Sequence, residues 1–205
     1  MKKFLMIYYS LLGKVYIPKS LNNSTEKKLI HISDTPICFF YSLEYLLKKI
    51  SPEIIIHTGD LVDDVKLEIY KNSLSKYEYH VKKIISILES SNASKVFICM
   101  GNHDNIDIVK KYSKRSIIIE KVGKINIFDT TATISHFPYE IIKDPSPYNF
   151  YGHDISLRSD IVSNKVYFNG IKSINILTSK SKKIYYLAYP VTVDESRLMK
   201  RKIGL

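Results

Sequence analysis

The chain has 205 residues, a formal charge of +11 from 31 Lys and Arg against 20 Asp and Glu, and two cysteines. That length buries a sizeable core without staples, so residues 1–205 read as one domain. Two cysteines exclude a disulfide framework, and no apolar run reaches the ~20 residues of a membrane span, so a reducing, cytoplasmic setting is expected. The basic excess admits nucleic acid as a partner. A compositional bias toward Lys, Ile, Asn and Tyr explains the same excess more simply, because the lysines are spread along the chain.

The first stretch, MKKFLMIYYSLLGK, imitates the start of a signal peptide but lacks a small-x-small cleavage site. Residues 1–27 read as an N-terminal extension in which 4–18 form an extra strand or hairpin and 19–28 a polar loop. KLIHIS (28–33) is a short buried strand ending at Asp34. A helix over 37–50 follows, with Phe40, Leu43, Leu46 and Leu47 on one face, stopped by Ser51-Pro52. Ile54-Ile55-Ile56 is a second strand, and it breaks at Gly59 into HTGDLVDD (57–64). Carboxylates just past a buried strand lie where α/β sheets open their ligand crevices, which makes Asp60 and Asp63 site candidates. Side chains that merely bond turn amides would account for the same residues.

A long helix then runs to about Ser90, and VFICM (96–100) is a third strand, broken by Gly101-Asn102-His103-Asp104 before a short helix over 106–112. Three strand, polar turn, helix units predict a parallel sheet with right-handed crossovers. From Ser116 onward short β-like runs predict a second, mostly antiparallel sheet. The expected fold class is α/β, a two-sheet α/β/β/α sandwich.

Five predicted strand ends deliver a polar residue: Asp34, Asp60, Asn102-His103, His136 and His153. If the strands lie side by side these ends converge, and a cluster of Asp, Asn and His suits a divalent cation. His31 and His57 read as structural, His80 as solvated. Tyr185, Tyr186 and Tyr189 read as packing a sheet face.

The order Asp34, GDLVD (59–63), GNHD (101–104), His136 and GHD (152–154) resembles the calcineurin-like metallophosphoesterase superfamily, whose pattern is D-x-H, G-D-x-x-D, G-N-H-[DE], a lone His and G-H-x-H on a two-sheet sandwich. The resemblance implies that Asp60 bridges two metals, that Asn102, His136 and His153 complete one of them, and that His103 stands near the leaving group with Asp63 orienting it. It also implies a divalent metal, Mn first with Fe, Zn or Ni as alternatives, and a phosphate-ester substrate.

The chain departs from the pattern at Pro36 and Ile155, where the family has histidines. Neither side chain binds metal. One ion held tightly and a second held weakly or not at all is the expectation, with Asp34 and Asp60 left at the poorer seat and Asp64 or Asp154 as substitute donors. The resulting reading is a metal-dependent phosphodiesterase or phosphatase with one degraded metal site. The alternative is a non-catalytic binding or scaffold member of the fold, of which the superfamily has examples.

Overall fold

The computed structural model describes residues 2–197. The chain opens with α1 (Lys2–Leu11) and α2 (Lys19–Asn22), then alternates β1 (Lys28–Ile32), α3 (Phe40–Ile50), β2 (Ile54–His57), α4 (Leu74–Glu89), β3 (Lys95–Cys99), α5 (Ile106–Tyr112) and β4 (Ile117–Ile119). The second half comprises β5 (Val122–Ile127), β6 (Thr130–Ser135), α6 (Pro138–Lys143), β7 (Tyr148–Tyr151), β8 (Asp160–Val162), β9 (Lys165–Asn169), β10 (Ile174–Thr178), β11 (Ile184–Leu187) and α7 (Val191–Arg197).

Two sheets result, one in the order β11-β10-β1-β2-β3-β4 and the other β5-β6-β7-β9-β8. In the first, β1 through β4 are parallel, because the helical crossovers α3 and α4 return the chain to the same edge each time. Alternation along each strand divides the core in two. Ile30, Ile32, Ile55, Val96 and Ile98 face the helices. Leu29, Ile54, Ile56, Phe97 and Cys99 face Ile127, Ala132, Ile134, Phe150 and Phe168 of the second sheet. The predicted α/β sandwich of two sheets flanked by helices is the fold observed.

Three expectations need correction. Residues 4–18 are not a strand or hairpin: α1 is helical, since Phe4, Ile7, Tyr8 and Leu11 recur with a helical and not an alternating period. The segment expected as a polar loop begins with α2, which Pro18 initiates and whose Leu21 is fully buried. The second sheet is mixed. Its outer pairs β5–β6 and β8–β9 are antiparallel, but β6–β7 and β7–β9 are parallel. Helix α6, too short to register as a period, supplies the crossover between β6 and β7. The runs at 117–119, 174–178 and 184–187 leave that sheet and complete the first one.

Candidate metal centre

The loop after β1 and the loop after β2 continue the parallel ladder past the strands. Asp34 N donates to Gly59 O at 2.9 Å and Thr35 N to Asp60 O at 2.9 Å. The turn that follows is held against the same loop, because Asp63 N donates to Thr35 O at 3.0 Å. GNHD is locked on by Asp104, whose carboxylate accepts from Asp60 N (2.8 Å), Leu61 N (2.9 Å), Gly101 N (2.9 Å) and the Tyr77 hydroxyl (2.9 Å). The loops meet so closely that a Cβ on Gly59, which has φ +96°, would lie 2.6 Å from both Gly101 N and His136 Nδ1. Only glycine satisfies both the angle and the gap.

Three of the predicted donors adopt left-handed backbone: Asp34 (φ 49°), Asp60 (φ 53°) and His153 (φ 62°). Asp and His tolerate this region better than most residues, at a cost of order 1 kcal/mol each. Asp34 and Asp60 are buried at their strand ends, and His153 is exposed at its own.

Asp34, Asp60 and His136 are buried, and one donor atom from each lies within 4.8 Å of the others. Around them, Asn102 Oδ1 lies 3.0 Å from His136 Nε2, His153 Nδ1 lies 3.2 Å from the same nitrogen, and Asp60 Oδ2 lies 3.7 Å from it. His153 N donates to Asp34 Oδ2 at 3.2 Å, and His103 N to Asp60 Oδ1 at 3.0 Å.

The protonation pattern decides what this cluster can hold. His136 Nδ1–H donates to Thr58 O at 2.7 Å, which leaves the Nε2 lone pair aimed at two oxygen acceptors and a second imidazole. A histidine whose far nitrogen is pinned to a carbonyl is the usual arrangement of a metal ligand. Burial pushes the Asp60 carboxyl well above the ordinary carboxylate range; His136 opposes this, while Asp34, Asp104 and Asp63 add to it. Burial likewise depresses His136, but the Asp60 and Asp34 carboxylates outweigh it and hold the imidazole above its usual value. A donor set that can lower its own repulsion only by taking up positive charge fits a divalent cation.

The two substitute donors are engaged elsewhere. Asp64 Oδ1 accepts from Ile37 N at 2.7 Å, and Asp154 Oδ1 accepts from Ser156 N at 2.7 Å and Ser156 Oγ at 2.6 Å. The Asp63 carboxylate, which the resemblance implied as the partner of His103, pairs with Lys66, and His103 Nδ1 has no hydrogen-bond partner. His103 Nε2 instead accepts from Asn102 Nδ2 at 3.2 Å, and its Nδ1 faces Glu68 at 3.7 Å. Burial, reinforced by Lys66, brings the His103 imidazole down to about 4.

Several residues of the site carried no motif. Glu68 holds Asn102 by accepting its Nδ2 at 2.5 Å. Arg197, with a side chain 3% exposed, donates to Ser33 O, Asp34 O and Ile171 O at 2.7 Å each and so braces the Asp34 turn from below. The one sequence signal for it was scarcity: it is one of four arginines in a lysine-rich chain. His31 and His57 are buried structural residues. His31 accepts from Asn175 Nδ2 at 3.0 Å and donates to Thr58 Oγ1 at 2.9 Å. His57 accepts from Gly59 N at 3.2 Å and donates to Thr35 Oγ1 at 2.8 Å. His80 is half-buried rather than freely solvated, and its Nδ1 has no hydrogen-bond partner.

Comparison with solved structures gives an archaeal phosphodiesterase at 18% identity and TM-score 0.57, covering 78% of this chain and 99% of that one. It also gives Yfce, a phosphoesterase from E. coli, at 13% identity and TM-score 0.53, covering 80% and 99%. A zinc complex of Vps29 from Entamoeba histolytica aligns at 16% identity and TM-score 0.44, covering 77% and 88%. No curated protein matches the sequence. At these identities the likeness is one of fold. The pattern of the calcineurin-like phosphoesterases matches residues 27–196, and the chain belongs to that family.

Proposed function

We propose that the chain is a metal-dependent phosphoester hydrolase that works with one firmly held divalent cation, Mn first, on Asp60, Asn102, His136 and His153. The observation that carries this reading is the convergence of Asn102 Oδ1, His153 Nδ1 and Asp60 Oδ2 on Nε2 of His136. A bound cation supplies a Lewis acid that polarises a phosphoryl oxygen and acidifies water.

The rest of the chemistry belongs to the side chains. Asp60, with its backbone amide held by Asp104, keeps its carboxylate in the cluster. His103, with Nε2 accepting from Asn102, keeps a buried Nδ1–H that has no hydrogen-bond partner and lies 3.7 Å from Glu68, a donor held ready for a phosphate or leaving-group oxygen. Lys66, which pairs with Asp63, adds a cation near the same imidazole. The second metal seat is degraded: Pro36 and Ile155 bring no donor, and Asp64 and Asp154 are committed to backbone and serine partners. Hydrolysis should therefore be slower than in a binuclear site. The substrate of this reading is a phosphate ester, either a phosphodiester or a phosphomonoester. Contact with nucleic acid rests on the charge of +11 alone.

The missing donors also favour a second reading, a binding or scaffold protein that keeps a structural ion. Turnover of bis-p-nitrophenyl phosphate and p-nitrophenyl phosphate with added Mn²⁺ separates the two. The hydrolase reading expects wild-type turnover ~10² to 10⁴-fold above His103→Ala with metal content unchanged. Equal turnover in the two proteins would leave the scaffold reading standing.

A further inference from the structure

Helix α1 is amphipathic in the reverse sense. Phe4, Ile7, Tyr8 and Leu11 share one face at i, i+3, i+4, i+7 spacing, and that face is the solvent side: they are 71%, 60%, 52% and 70% exposed. The other side docks on the domain. Ser10 Oγ donates to Tyr189 O at 3.4 Å and accepts from Val191 N at 3.0 Å, and Leu5 and Met6 are half-buried. The apolar stripe therefore contributes nothing to the core. It continues through exposed Leu12, and Gly13 O accepts from Ser42 Oγ of α3, whose Tyr41 and Tyr45 are also exposed. An exposed apolar and aromatic face of this kind marks an interaction site.

The charge of the segment points to the partner. Residues 1–25 contain Lys2, Lys3, Lys14 and Lys19 and no carboxylate, while the acidic groups on neighbouring helices are Asp194 and Glu195 of α7 and Glu44 of α3, the last paired with Lys48. Lys14 also shares a cleft with Met6, Ser10 and Lys183 of the β10–β11 turn. A second copy of the chain would set these lysines against each other. An anionic lipid surface satisfies both features at once, apolar side chains entering the acyl boundary and lysines remaining among acidic headgroups. The geometry allows lying on such a surface but not spanning it. Ten helical residues extend ~15 Å, half of a ~30 Å hydrocarbon layer, and among the described residues no helix is long and apolar enough to cross a membrane. We propose that α1 is an interfacial anchor that seats Phe4, Ile7, Tyr8 and Leu11 in an anionic membrane surface.

The chain contains no tryptophan, so Ile7→Trp in the full chain introduces a single reporter. With phosphatidylcholine/phosphatidylglycerol vesicles its emission should shift to the blue and be quenched by brominated acyl chains. Co-sedimentation of the wild type should fall about tenfold with Ile7→Glu/Leu11→Glu, and also in about 0.5 M salt, where screening is nearly complete within a few ångströms. Emission unmoved by anionic vesicles overturns the proposal. So does equal sedimentation of the Glu variant, which would reduce the interaction to charge alone. Emission already blue-shifted without lipid, with a sedimentation-velocity dimer that the Glu variant dissociates, would assign the face to a second copy instead.

Discussion

His136 Nε2 and Asn102 Oδ1 face each other at 3.0 Å. The His136 proton is given to Thr58 O, and the Asn102 amide protons are turned toward Glu68 and His103. While the imidazole is neutral, each is therefore an acceptor aimed at an acceptor. The contact becomes favourable with a cation between them or with a second proton on the imidazole.

Metal affinity should follow from that contact. Calorimetric titration of the metal-free protein with Mn²⁺ at pH 7.5 is expected to give one site of high affinity. His136→Ala or Asn102→Ala should weaken it by about tenfold or more, since even outer-shell ligand partners are worth 10–100-fold. Unaltered affinity in both variants would show that the ion binds elsewhere.

Restoring the missing nitrogens should restore the second seat. Ile155 is 49% exposed, so its replacement opens no core cavity, whereas Pro36 is buried ahead of a short 3₁₀ turn and a histidine there has to find room beside the Asp34 turn. Pro36→His/Ile155→His is expected to raise the ion count from one toward two per chain in equilibrium dialysis against Mn²⁺, with higher turnover. A count that stays at one would mean that the loops carrying these positions cannot close on an ion.

Acid should destabilise the fold through its structural histidines. Burial, partly offset by Asp34, brings His57 from 6.5 down to about 3, and burial holds His31 well below its usual value. In both rings one nitrogen already accepts from an amide N–H, so a further proton there has nowhere to go. The unfolded chain binds the proton first. Stability is therefore complete above about pH 6.5 and falls as pH drops, by about 1.4 kcal/mol per pH unit for His57 down to about pH 3, with a further loss of the same sign from His31. Urea unfolding at pH 7 and pH 5 checks this: His57→Gln should lose less stability between the two than the wild type, by about 2 kcal/mol.

Arg197 should matter more to stability than its place near the end of the described chain suggests. Its three donated bonds satisfy carbonyls at Ser33, Asp34 and Ile171 in a buried setting. Arg197→Ala is expected to cost about 3 kcal/mol in urea unfolding and to lower Mn²⁺ affinity by loosening the Asp34 turn. Arg197→Lys should recover little, because one ammonium cannot span three carbonyls in the fork geometry of a guanidinium.

Much of the parallel half was legible from residues alone. Apolar runs of four or five, each ended by Asp, Gly or Asn and followed by a helical period, encode strand, turn and crossover locally, and Asp34, Asp60, Asn102, His136 and His153 stand where those runs stop. The 106–112 helix and the roles of His31 and His57 were likewise readable, because each depends on near neighbours or on a strand position. The N-terminal segment was misread because a short apolar stretch is compatible with strand or helix, and its 3.6-residue period spans barely three turns.

Sequence by itself determined which residues would sit at the ends of core strands, because alternation, helical period and turn chemistry act over a few neighbours. Tertiary structure alone decided that β10 and β11 join the first sheet, that Arg197 reaches back to Ser33 and Asp34, that Lys66 pairs with Asp63, and that α1 turns its apolar face to solvent. Those outcomes depend on contacts between segments far apart in the chain, such as Asp34 and Arg197. No local pattern carries them, because the partners are chosen by packing and by where a buried charge can find its counterpart.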